Sequence, residues 1–401
     1  MDTGIENIEE HMTNIASEFL VFKATICDPS ISYSVVLAKQ SCSSIHPSRL
    51  LRIFRGIVIG LAAEDIEVII VCGDGARENV TFFDTLSTES IDSIISDTTR
   101  ALFQQFDLEA MTNNNIAMID PINNEPIFFV EDMPHIVKRI VNAMDRSSSD
   151  RQSRDMKYGD KSLNLGLIKT IWKASGGLSN ELKASRLTMK HFVKDNFSRM
   201  RVYLAVQVLS NSVVELIIKV RDDEDVKLPF HKEYYNPLIQ IATHVNKLVD
   251  IINGRDRADF CKESGVEIIT SLLKILKWFD EWKKLNDRCK ELDEKNFLPE
   301  DTWIGIKRMI LGYICLIDHY CIGQGLVICP RRTLSDVCEH LFSMMRRCAG
   351  STSMVTTNSA HSTCAKDSLM QLCRQNIHKG SNCEQGPSIL DESHMRHRKS
   401  Y

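Results

Sequence analysis

The sequence has 401 residues, a net charge of −4 and 43% hydrophobic residues. This composition is typical of a globular protein and excludes wholesale disorder, collagen-like repeats and a coiled-coil rod. The length predicts two or three domains. The near-neutral charge excludes a protein that coats nucleic acid by charge alone, although it permits a local basic patch.

Targeting and membrane signals are missing from the sequence pattern. Residues 1–17 are acidic and polar, and they lack the basic start and apolar core of a signal peptide. The 13 cysteines show no paired spacing, so we expect reduced thiols. The longest apolar stretch, Met309–Cys329, contains Asp318 and follows a helical pattern. It predicts a buried core helix, and we expect no membrane partner.

The first part of the chain has the pattern of an α/β domain. Ile66–Cys72 is a continuous β-branched run, which predicts a central strand buried on both faces. Residues 86–123 are polar and give no clear prediction. The other predicted strands are Glu18–Cys27, Ile31–Ala38 and Pro126–Val130, and the predicted helices are His46–Ala63 and Pro134–Met144.

The pattern changes after a polar, Ser- and Arg-rich linker at residues 145–160. From Leu163 to about Tyr320 it is almost entirely helical, and one more amphipathic helix follows at Arg332–Arg347. If that last helix returns to the first core, the helical block is an insertion. We therefore predict an α/β domain at 1–150, a helical insertion at 151–325, the returning helix at 326–352 and a polar, disordered tail at 353–401.

Asp74 is the most suggestive single residue. It lies two residues beyond the strand pattern Ile66–Cys72, between two glycines. Reacting groups in open α/β sheets collect beyond the carboxyl ends of strands, and a carboxylate is a good magnesium ligand. The alternative is a turn acid that caps the following helix.

Asp336 and Glu339 form the second candidate site. Their spacing places both carboxylates on one face of a helix. Two or three carboxylates can hold the pair of divalent ions that phosphodiester chemistry requires. Alternatively, Asp336 is a first-turn acid that complements the helix dipole.

Asp132 and His135 follow the strand pattern Pro126–Val130. His135 could bind phosphate or a metal ion. Asp132 is suited to cap the helix that follows, with Pro134 in its first turn. Both roles stay open on the sequence.

Several segments together resemble the P-element-type transposase family, which includes the THAP-domain transposases. Cys72–Asn79 (CGDGAREN) resembles the family's Asp-Gly-Ala-x-x-Asn segment, and Ser335–Arg346 (SDVCEHLFSMMR) resembles its Gln-Asp-x-Leu-Glu-Asn-x-Phe-x-x-Ile-Arg segment. The matches run in family order from about residue 18 to 350. The others are Leu20-Val21-Phe22, Asp132–Asn142, Leu187–Phe192, Met200–Val213 and Phe297-Leu298-Pro299.

The resemblance implies an RNase H-like mixed sheet with flanking helices, interrupted by a large, mostly helical, GTP-binding insertion. It implies a nuclear protein that cuts and joins DNA at transposon ends with magnesium and an Asp-Asp-Glu triad. Asp74 would match the second Asp of the triad and Glu339 its Glu. Asp336 would match an acidic neighbour near the active site and the nucleotide.

The family's first catalytic Asp, its strand and the THAP domain have no counterpart in this sequence. Asp2-Thr3-Gly4 resembles a later family element instead. We therefore expect catalysis to be impaired, because the ions need a shared set of carboxylates. Two alternatives stay open. One is a domesticated, non-catalytic DNA- or protein-binding scaffold that uses the helical block for association, homo-oligomers included. The other is a GTP-binding regulatory protein that acts through the insertion.

Overall fold

The computed structural model of the chain describes residues 18–148, 153–176, 186–192, 202–253, 259–289, 293–348 and 356–377. Asp2-Thr3-Gly4 and residues 378–401 of the predicted tail lie outside these ranges. The strands are β1 (Glu18–Thr25), β2 (Ser34–Cys42), β3 (Ile70–Gly73), β4 (Glu89–Ser90), β5 (Asn115–Ile119), β6 (Pro126–Glu131), β7 (Lys157–Tyr158) and β8 (Lys161–Ser162).

The α-helices in the first part of the chain are α1 (Pro47–Ala62), α2 (Arg77–Leu86), α3 (Ile91–Ile94), α4 (Asp97–Gln105), α5 (Met133–Arg146) and α6 (Leu165–Ala174). The later ones are α7 (Met189–Phe192), α8 (Val202–Val208), α9 (Asn211–Asp222), α10 (Asn236–Ile252), α11 (Lys262–Arg288), α12 (Glu300–Leu316), α13 (Asp336–Cys348) and α14 (Thr357–Ile377). A π-helical segment, Ile317–Gly323, continues α12, and a 3₁₀ turn, Pro330–Thr333, precedes α13.

A four-stranded mixed sheet runs in the order β3-β6-β5-β4. β6 is buried along its whole length and pairs antiparallel with β5, with Ala117 opposite Phe128. The predicted α/β class, a mixed sheet with flanking helices, is confirmed. The prediction that Ile66–Cys72 forms a central strand is wrong, because only Ile70–Gly73 is extended and it lies at the sheet edge, half-buried. An apolar β-branched run does not distinguish an edge strand from a central one when helices cover both.

A separate antiparallel hairpin is formed by β1 and β2. The pairing starts with Glu18 opposite Cys42, shifts by one residue at a bulge after Phe22 and ends with Thr25 opposite Ser34. In the connecting turn, the Asp28 carboxylate accepts the Ser30 N–H at 2.7 Å. An Asp side chain that accepts a backbone N–H two residues on is typical of a tight turn.

The chain divides into two compact units. Unit 1 comprises residues 1–89, 117–128 and 327–401, and unit 2 comprises residues 90–116 and 129–326. Unit 2 is mostly helical and ends one residue from the predicted end of the insertion. It begins earlier than the predicted residue 151, because α3, α4 and α5 are helices with apolar faces that pack into its core.

In unit 1, residues 357–377 form helix α14, which differs from the disordered tail predicted from residue 353. Ala360 and Cys364 of this helix pack with Leu341 and Met345 of α13. The Asp367 carboxylate forms a buried ion pair with Lys23 of β1, with 2.6 Å between Oδ2 and Nζ. The sequence does not predict this helix, because much of its buried face consists of polar side chains and not of an apolar stripe.

Unit 2 is built around long buried helices. The stretch predicted as a core helix, Met309–Cys329, contains the end of α12 and the π-helical segment, both largely buried. Among the described residues, one helical stretch, Val202–Asp222, is long and apolar enough to cross a membrane by length and composition. It is two helices here, α8 and α9, and 44% of its apolar window is buried inside the protein. Core helices of globular proteins pass the same test of length and composition.

Eleven cysteines, from Cys27 to Cys364, are free thiols. Burial raises the pKa of the Cys27 thiol to about 11 and that of Cys321 to about 12. These thiols are therefore protonated at neutral pH and poor nucleophiles. Reduction of the thiols in the cell stays a prediction from the sequence.

Candidate functional site

Asp74 lies in the exposed turn between β3 and α2 of unit 1. Its Oδ1 atom accepts the Ala76 N–H at 3.1 Å and the Asn79 side-chain amide at 2.8 Å. Helix α2 begins with Ala76 at its N-cap, and no side chain caps it. Asp74 thus orders the turn before the helix instead of capping it.

The second oxygen of Asp74, Oδ2, has no hydrogen bond within the described residues. Two donors on Oδ1 fix the carboxylate orientation, and Oδ2 stays available to a cation. A hard ion such as Mg²⁺ prefers oxygen donors of this kind. Asp74 therefore fits the role of a magnesium ligand.

Asp336 and Glu339 lie in the first turn of α13, as their spacing predicts. Both side chains are half-buried. Leu341 and Met345 anchor the helix against α14, and Phe19 and Val21 of β1 pack against the same cluster. Because the apolar face is fixed in the core of unit 1, the start of α13 has a defined position. Asp336 is also placed to complement the helix dipole, so that alternative stays open.

The 3₁₀ turn Pro330–Thr333 joins three parts of unit 1. It packs against β3, the strand that leads to Asp74. Its Arg332 guanidinium donates to the carbonyl oxygens of Asp28, Pro29 and Ile31 in the β1–β2 turn. It also immediately precedes α13, which carries Glu339. This turn therefore contacts β3, the strand that precedes Asp74, and leads into α13, the helix that carries Glu339.

A complete metal cage is not found in the part of the chain that the structure describes. No group of three or more His, Cys, Asp or Glu side chains there could hold a metal ion. The sharing of one ion by Asp74 and Glu339 stays a prediction. Two carboxylates of one unit supply the correct donor chemistry, and a third donor would have to come from water, DNA or residues outside the described ranges.

Asp132 and His135 belong to unit 2. The Asp132 side chain is 2% exposed and its Oδ2 lies 2.8 Å from His135 Nδ1. Asp132 occupies the N-cap position of α5, with Pro134 in the first turn, but its side chain makes no capping hydrogen bond. The pairing orients the imidazole ring.

Sequence reasoning missed a buried charge cluster in unit 2. Glu131 ends β6 with a side chain only 1% exposed, and it pairs with Arg139 of α5 and Arg308 of α12. A Cβ atom at Gly305 would lie 2.7 Å from the Glu131 Oε2 atom, so a larger residue there would collide with the carboxylate. Sequence offers one signal: Glu131 is a charge at the end of an otherwise apolar strand pattern.

Comparisons with known proteins support the fold. No protein-family model matches the sequence, and no curated protein matches it. Among solved structures, the chain is similar to "Drosophila P element transposase strand transfer complex" with a TM-score of 0.59 and 16% sequence identity. The match covers 88% of this chain and 76% of that one. It shows a transposase-like fold.

Proposed function

We propose that this chain is a DNA-binding protein of the P-element transposase type, with Asp74 and Glu339 as its magnesium-binding carboxylates. The observation that carries the proposal is the structural match over 88% of the chain. A match of this extent includes residues of both compact units. The matched protein is a transposase in a strand transfer complex, which supports a transposition-related role for this chain.

The proposed site follows from the chemistry of its donors. The hydrogen bonds from Ala76 and Asn79 orient the Asp74 carboxylate, and the packed face of α13 positions Glu339. When bound, magnesium would supply activation of an attacking oxygen and stabilisation of a leaving oxygen at a phosphodiester. GTP binding with Asp336 as a contact, a role for His135 and a nuclear location stay predictions from the family resemblance.

Divalent-ion binding tests the carboxylate assignment. We expect Asp74→Asn and Glu339→Gln each to weaken Mn²⁺ binding, measured by electron paramagnetic resonance. The loss should exceed the roughly 10–100-fold that removal of an outer-shell partner costs. The double variant should lose less than the sum of the two single losses, because both residues would hold one site. Asparagine at 74 keeps the Oδ1 acceptor for Ala76 and Asn79, so the turn stays intact.

Glu64→Gln is the matched control, since Glu64 is an exposed carboxylate of the same unit. It should leave Mn²⁺ affinity unchanged. Independent, additive losses from Asp74→Asn and Glu339→Gln would contradict a shared site.

A non-catalytic scaffold is the second candidate function. It is favoured by one observation: the described residues contain no group of three metal-binding side chains. This candidate predicts duplex DNA binding without magnesium-dependent nicking. Nicking of supercoiled DNA that disappears in Asp74→Asn would reject the scaffold and support the catalytic assignment.

A further inference from the structure

Helix α1 of unit 1 carries a concentrated positive charge. Residues 29–63 contain four basic residues, Lys39, Arg49, Arg52 and Arg55, and no acidic residue. The whole chain has a net charge of −4. The three arginines lie within α1, and Arg52 and Arg55 are exposed. Charge in this segment is therefore opposite in sign to that of the protein as a whole.

The arginines share the outer side of the helix. The inner face, formed by Leu50, Phe54 and Val58, is buried in unit 1, where the Phe54 ring meets the Phe82 ring at 5.5 Å. Three residues of helix advance about 4.5 Å, so Arg49 to Arg55 covers about 9 Å. Phosphates of one DNA strand are spaced about 3.4 Å along the duplex axis, so the arginines can follow two or three of them.

None of the three arginines forms a salt bridge or a side-chain hydrogen bond with the residues that the structure describes. Elsewhere in unit 1, Arg332 donates to several backbone carbonyl oxygens. The guanidinium groups of α1 thus make no hydrogen bonds of this kind that would stabilise the described part of the fold. Each keeps its donors available to an external anion.

Two glycines lie on the same outer side of α1. Gly56 and Gly60 are exposed, and a Cβ atom at either position would meet nothing within 4 Å. Glycine weakens the interior of a helix, and no neighbour among the described residues requires one here. A partner that approaches the helix backbone closely between the arginines would use this space.

The outer face fits a nucleic-acid backbone better than other anionic partners. A membrane-surface helix inserts its apolar face into lipid, but Leu50, Phe54 and Val58 are already buried in the protein. Protein interfaces depend on large apolar side chains that the partner buries. Helix α1 exposes one such residue, Ile59, which is 57% exposed. A phosphate backbone requires only cationic donors and close approach.

We infer that the outer face of α1, formed by Arg49, Arg52, Arg55, Gly56 and Gly60, binds the phosphate backbone of DNA. The inference rests on the proposed function for the identity of the polyanion. It adds a specific surface, which neither the family-matched segments nor the candidate carboxylates include. Binding through phosphates carries no sequence specificity by itself.

Fluorescence anisotropy with a labelled duplex of mixed sequence tests this surface in the full chain. The Arg49→Gln/Arg52→Gln/Arg55→Gln variant should lose affinity by about tenfold or more at 100 mM salt. The slope of log K against log salt concentration should fall by about 2–3, because each lost phosphate contact removes about 0.9. Glutamine keeps good helix propensity, so α1 should remain folded. Circular dichroism checks that α1 remains folded. If the triple variant unfolds, the single variant Arg52→Gln replaces it in the assay, with an expected slope change of about 1.

The matched control removes three exposed lysines from unit 2 helices, Lys219→Gln/Lys247→Gln/Lys274→Gln, for the same change in net charge. It should retain most of the affinity and slope. If wild-type protein binds DNA and the arginine variant behaves like this control, the α1 inference is wrong and the proposed function stands. If wild-type protein does not bind duplex DNA at any salt concentration, both are wrong. Arginine-dependent binding to phosphatidylserine vesicles without DNA binding would assign α1 to membranes and overturn the inference.

Discussion

Replacing Asp367 with Asn is expected to lower the free energy of unfolding by about 3–5 kcal/mol. Asp367 of α14 pairs with Lys23 of β1, and their side chains are 2% and 1% exposed. Removing the carboxylate leaves an ammonium group buried without its counter-charge. Lys23 can regain water only if α14 leaves the hairpin, so detachment of this helix should be the first consequence.

Urea unfolding and hydrogen exchange together measure this effect. The amide protons of α14 should lose protection in Asp367→Asn before those of α1 do. The exposed pair Lys283–Asp287 provides a control, since Asp287→Asn should cost less than about 1 kcal/mol. The double variant Lys23→Met/Asp367→Leu should recover most of the stability, because apolar residues can replace a buried pair. A loss below about 1 kcal/mol in Asp367→Asn would contradict the buried pairing.

Replacing Glu131 with Gln is expected to destabilise unit 2 by about 3 kcal/mol. The Glu131 side chain is 1% exposed and faces Arg308 at 9% and Arg139 at 22%. Glutamine keeps the volume next to Gly305 and removes only the charge that the two guanidinium groups share. The loss of stability should lie at the lower end of the range for buried ion pairs, since water partly screens the charge of Arg139.

Urea unfolding with probes in unit 2 measures the Glu131→Gln effect. Glu267→Gln on α11 is the control, because Glu267 is an exposed carboxylate of the same unit. It should change stability by less than about 0.5 kcal/mol. Equal stability of Glu131→Gln and Glu267→Gln would show that the buried cluster does not stabilise the unit.

Several elements could be predicted from sequence because their burial repeats with the period of the element. Helix α1 has Leu50, Phe54 and Val58 at helical spacing, and all three are buried. Strand β6 is an apolar run up to Val130, and each of its residues is buried. The first turn of α13 carries Asp336 and Glu339 as their spacing indicates. In each case local pattern and tertiary packing agree.

Other features depend on contacts between residues distant in sequence. Strand β3 lies at the edge of the described sheet because it pairs with one strand only, β6. The sequence of β3 does not indicate how many strands pair with it. Helix α14 is anchored by the pair of Asp367 with Lys23, 344 residues apart. The partners of Glu131 come from two helices, and Arg308 lies 177 positions away. Local periodicity carries no information on such pairs.

A crystal structure of the full chain soaked in Mn²⁺ shows whether Asp74 and Glu339 hold one magnesium site. We expect an anomalous-scattering peak with carboxylate oxygens of both residues at about 2.0–2.3 Å, the range for hard cations and oxygen ligands. Paired catalytic ions lie only about 4 Å apart. Carboxylates separated by more than about 10 Å, with no metal peak at either, would therefore contradict one shared magnesium site.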